Sequence, residues 1–123
     1  MKKLKKKQMQ KLFSRTIIYL DLFGIGVYYT KDKDEFEKMC RWIKVEAVTN
    51  VGGRAMLNVN DNGLAMIYIG WFNNDIGTLA HECVHAASYV ADAIGHKMHS
   101  EDEIVPYVTG YLVKQCLDRN PVI

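Results

Sequence analysis

The spacing of hydrophobic positions along the 123-residue chain changes several times, and each change marks an element. Residues 16–29 are rich in β-branched and aromatic side chains, which predicts strand. Gly24 and Gly26 predict a bend or bulge within it. Over residues 32–44 the period lengthens. Phe36, Met39, Cys40 and Ile43 fall at helical spacing, and the acids come early, where a helix start favours them. Gly52-Gly53 marks a turn. Residues 55–59 and 64–72 then predict two strands, joined as a hairpin through Asn60-Asp61-Asn62-Gly63.

Asn73-Asn74-Asp75 supplies side-chain caps for a helix start. The pattern that follows predicts a helix over 76–94, closed by Gly95. Leu79, Cys83, Ala87, Val90 and Ile94 line one face of it. His81, His85, Ser88 and Asp92 line another, so the histidines are not part of the core stripe. A last helix is predicted over 101–117, with Ile104, Val108, Leu112 and Cys116 as its apolar side. Pro106 fits only the first turn of a helix, so this one either starts nearer Asp102 or is kinked. Ser100-Glu101-Asp102-Glu103 also fits a capping box, with Ser100 as cap and Glu103 as its reciprocal partner. The expected class is α+β: a small antiparallel or mixed sheet packed on the central 76–94 helix, plus a C-terminal helix.

Length and composition suit a single domain over residues 16–123. Before it, residues 1–15 carry seven basic groups and no acid. The rest carries nine basic and fourteen acidic residues, a formal charge of −5. Such an arm can attract phosphates, but aromatic residues for stacking are not interleaved with its lysines. The favoured reading is a solvated arm. Cys40, Cys83 and Cys116 are odd in number and lack C-x-x-C spacing, which argues against a disulfide framework and for a reducing, cytoplasmic setting. Asp21 cuts short the apolar run after the arm, which argues against a signal peptide. No apolar run is long enough to span a bilayer.

The chemistry lies in His81-Glu82-Cys83-Val84-His85. Residues i and i+4 are neighbours on one helix face, so two imidazoles at this spacing can hold one metal ion. Glu82 between them can face a metal-activated water as general base. Thr78-Leu79-Ala80 and Ala86-Ala87 flank the motif without charge or helix breaker.

The stretch from Thr78 to Ala87 resembles the active-site helix of zincin metallopeptidases. The hairpin leading into it and the helix following it are similar to that family's layout. The segment around Glu103, Tyr107 and Gly110 is similar to small zincin-type proteins encoded by bacteriophages, although Pro106 departs from their pattern. The resemblance covers about residues 52–117. It implies a Zn2+ cofactor held by His81 and His85, with Glu82 as catalytic base and a peptide or protein substrate. It also implies substrate pairing along residues 64–72, the segment matching the strand nearest the cleft, and a host cytoplasm as the setting.

The third ligand stays open between two residues. Ala91 stands where a metzincin places its third histidine. Glu103 on the following helix matches the gluzincin solution and competes with its capping role. His99 matches the solution of repair-type zincins, without their flanking residues. Tyr107, one turn after Glu103, is a candidate donor to a developing oxyanion. Two other functions fit the same residues: a non-catalytic binding protein on a zincin scaffold, gripping a host factor, and a nucleic-acid-associated protease using the basic arm.

Overall fold

The computed structural model describes residues 17–21, 23–95 and 103–120. They form an α+β fold: a four-stranded mixed sheet and three helices. Strand β1 spans Ile17–Leu20 and β2 spans Ile25–Thr30. Helix α1 covers Lys33–Trp42. Strands β3, Gly53–Val59, and β4, Ala65–Trp71, form the hairpin. Helices α2, Ile76–Ala93, and α3, Ile104–Arg119, complete the chain. The strand order is β1-β2-β4-β3. Only the β2–β4 pairing is parallel.

The single strand expected over 16–29 is two. Asp21 and Gly24 turn the chain between them: the Phe23 amide donates to the Leu20 carbonyl at 2.9 Å, and Gly24 takes a left-handed φ of 65°. That conformation carries no steric penalty for glycine. The hairpin at 60–63 is as expected, with Asn60 Oδ1 accepting from the amides of Asn62 and Leu64.

The sheet is covered on both faces. Tyr28 and Tyr68 pack with Phe36, Met39 and Cys40 of α1 on one side. On the other, Val27, Tyr29, Ile67, Ile69 and Trp71 pack against Leu79, Cys83, Ala86, Ala87 and Val90 of α2 and Val108, Leu112 and Cys116 of α3. Ile94, expected in that stripe, is 38% exposed because α2 ends before it. No helix among the described residues is long and apolar enough to cross a membrane.

Helix α3 begins later than the sequence suggests. Glu103 is its N-cap, without a side-chain capping bond, and Ser100, the cap of the expected box, lies outside the described residues. Pro106 falls in the first turn, where its missing N–H would have had no helical partner. The later start thus removes the conflict that proline posed.

Candidate metal centre

Helix α2 is fixed to the sheet at its first turn. Asp75 caps it by accepting from the Thr78 amide at 3.0 Å, and the Trp71 indole at the end of β4 donates to the Asp75 carbonyl at 2.8 Å. From that anchor the 3.6-residue period turns Cys83 and Ala87 inward, and His81 and His85 out to solvent. Their rings meet edge to face with centroids 4.8 Å apart, and the two Nε2 atoms are 3.1 Å apart. Two nitrogens at zinc-bond length from one tetrahedral ion stand about 3.3 Å apart. The pair therefore fits a shared metal with little rearrangement.

Glu82 points a different way. It is 9% exposed and lies against the first residue of β3. A Cβ built on Gly53 would stand 3.0 Å from Glu82 Cγ, so the carboxylate arm fills the space that glycine leaves. Glu82 and His85 line a cleft of about 340 Å³, walled by Val48 and Val51 from the loop before β3 and by Arg54 and Ala55 from β3 itself.

Strand β3 is the sheet edge at this cleft. The Phe72 amide donates to the Gly52 carbonyl at 2.8 Å and the Asn60 amide to the Leu64 carbonyl at 3.0 Å. With the register Gly53↔Trp71, this phases the ladder. Arg54, Met56 and Asn58 direct their backbone groups to β4, and Gly53, Ala55, Leu57 and Val59 direct theirs outward. Strand β4, expected to pair with substrate, is flanked by β2 and β3 and has no free edge. The free edge at this cleft belongs to β3 instead. The signal was present in the sequence: AMIYIGW is nearly continuous in apolar residues, as a strand buried on both faces requires, whereas GRAMLNV carries Arg54 and Asn58.

Arg54 also borders the cleft, but its side chain alternates with that of Ala55 and so faces α1, beside Cys40. Its buried Nε, without a hydrogen-bond partner among the described residues, is therefore not turned towards the motif.

No family model, curated protein or solved structure matches this chain.

The other expected site residues lie apart from the motif. Cys83 lies beside Cys116, and that neighbouring thiol together with burial holds Cys116 far above the ordinary thiol range; their contact marks the level at which α2 and α3 meet. Glu103 precedes Cys116 by almost four turns, about 20 Å along the axis. It is exposed at the far end of the helix pair. Tyr107 is 67% exposed and lines a cleft with Tyr19 and Asp21 at the β1 edge. Three strand spacings, about 14 Å, separate that edge from β3. Accordingly, the described residues contain no group of three or more His, Cys, Asp or Glu able to hold a metal. His99, His96, Ser100 and the basic arm lie outside the described residues.

Proposed function

We propose that the chain is a zinc-dependent peptidase whose metal is held by His81 and His85 and whose general base is Glu82. The observation that supports it most is the 3.1 Å approach of two Nε2 atoms beside a buried glutamate, at a cleft bordered by a free strand edge. Zinc held there would supply Lewis acidity to a water and to the scissile carbonyl. Glu82 would act as the base towards the attacking water and return the proton to the leaving amine. An extended peptide pairs with the outward backbone groups of Ala55 and Leu57, which places its scissile bond over the motif. Hydrolytic zinc takes three protein ligands. The position of Glu103 weighs against it as the third and leaves His99 as the donor the sequence offers.

The decisive experiment compares Glu82→Gln with wild type and with His81→Ala, His85→Ala, His99→Ala and Glu103→Ala. Glu82→Gln is expected to keep about one zinc per chain and to lose cleavage by at least roughly a hundredfold. The variants at 81, 85 and 99 lose the metal, and Glu103→Ala keeps it. Cleavage by Glu82→Gln at the wild-type rate would sink the proposal. The alternative reading is a non-catalytic binding protein on the same scaffold, gripping a host factor. Zinc uptake without cleavage of any peptide in a library supports that reading instead.

A further inference from the structure

The cleft that contains Tyr107 has a chemistry of its own. It measures about 180 Å³ and lies between the β1–β2 turn and the first turns of α3. Tyr19, Phe23, Tyr107 and Tyr111 supply four aromatic side chains to its wall, and Asp21 supplies a carboxylate. Tyr19 is 59% exposed and Tyr107 67%, an unusual solvation for rings of this size. Neither is needed to close the core cluster between sheet and helices. Asp21 has no ion-pair partner among the described residues.

Aromatic faces are the negative ends of ring quadrupoles and attract cations, most strongly where water is displaced. The Asp21 carboxylate, without an ion-pair partner among the described residues, attracts positive charge and repels anions. Glu103, at the N-cap of α3, offsets the positive end of that helix dipole. Size narrows the ligand further. Sites for whole drug-sized molecules run to roughly 300–1,000 Å³, so this cleft takes one head group rather than an entire small molecule. A bare ammonium is a compact, strongly hydrated point charge. It gives up that water only to acceptors that converge on it, whereas this wall is mainly aromatic. An N-methylated ammonium carries its charge on an apolar surface and needs none.

We infer that Tyr19, Phe23, Tyr107, Tyr111 and Asp21 form a binding site for a methylated ammonium head group, separate from the His81–His85 motif. Such a group occurs in choline derivatives and in methylated lysine side chains. Both present the same cation to the pocket.

The test is an NMR titration of the full chain with choline, with trimethyllysine, and with a neutral tert-butyl isostere of choline. Saturable shifts confined to residues around Tyr19 and Tyr107 are expected with the cations and not with the isostere. The cation that binds more tightly names the source. Tyr107→Ala and Asp21→Asn are each expected to weaken binding by roughly tenfold, with the far-UV spectrum and zinc content unchanged. Because Tyr107 is largely exposed, its loss leaves the fold intact, and Tyr107→Phe, which keeps the ring, retains binding. Equal binding of the isostere, no saturable shift with either cation, or full affinity in Tyr107→Ala each overturns the inference.

Discussion

Gly53 shows how closely single residues control the candidate site. A methyl group there would stand 2.9 Å from Thr78 Cγ2, 3.0 Å from Glu82 Cγ and 3.1 Å from the Gly70 carbonyl oxygen. The first two neighbours can give way by rotating, but the third is backbone. Gly53→Ala is therefore expected to shift Glu82 and to cost about 1–3 kcal/mol, read as a lower urea midpoint. Zinc content should stay at the wild-type level while turnover falls. Unchanged stability together with unchanged turnover would show that Glu82 does not depend on this glycine. The two histidines could be placed from sequence because their relation is local: four residues on one helix fix it. Glu103 could not. Its place depends on where two helices meet, which is set by Cys83 against Cys116, and no spacing within either helix reveals that.

Among the elements, the helices were easier to read than the strand roles. Helices 32–44 and 76–94 were expected within about two residues of α1 and α2, because capping residues and a 3.6-residue period specify both ends. The strand regions were found, although 16–29 holds two strands rather than one, and their order was not, since pairing is non-local and the period-2 pattern says little about neighbours. The consequence is largest for β3. Outward N–H groups at Gly53, Ala55, Leu57 and Val59 alternate with inward ones at Arg54, Met56 and Asn58. Proline separates the two sets, because it removes one donor at a time. Met56→Pro breaks a bond to β4 and should cost about 3 kcal/mol or more. Ala55→Pro leaves the ladder intact and should cost clearly less, while abolishing cleavage of extended peptides. Thermal melts and peptide assays on the two variants check this. Equal destabilisation by both would show that the ladder is phased the other way.

For the whole molecule, the α+β class followed from strands and long amphipathic helices in one short chain. That α1 covers the second face of the sheet became clear only from the packing of Phe36 and Met39 on Tyr28 and Tyr68. Closing both faces buries titratable groups. Burial pushes the Cys40 thiol from 9.0 up to about 11 and the Tyr68 hydroxyl from 10.0 up to about 12. It also drives Tyr28 and Tyr29 well above the usual phenol range, aided by Glu35 beside Tyr28 and by Cys116 beside Tyr29. Each group is neutral in the fold and loses its proton more readily once unfolded. The stability tied to it is complete below the unfolded pKa and is lost as pH rises through the folded one. Each group steepens the decline by up to about 1.4 kcal/mol per pH unit. The urea midpoint should hold steady near neutrality and fall steeply above pH about 9. A midpoint that stays flat to pH about 11 would mean that these side chains are hydrated in the native state.

The 3.1 Å contact between His81 and His85 also sets a condition on where hydrogens sit. Without a metal, a neutral pair at that distance holds together only if one Nε2 carries a hydrogen and donates to the other. Such a pair consists of opposite tautomers. A metal bound through both Nε2 atoms requires the same tautomer of each, with the hydrogen on Nδ1. One ring must therefore relocate its hydrogen before or as the metal enters. Both rings are exposed, so water can carry that hydrogen from one nitrogen to the other. The exposure that leaves the site open is also what lets it change from a hydrogen-bonded pair into a pair of ligands.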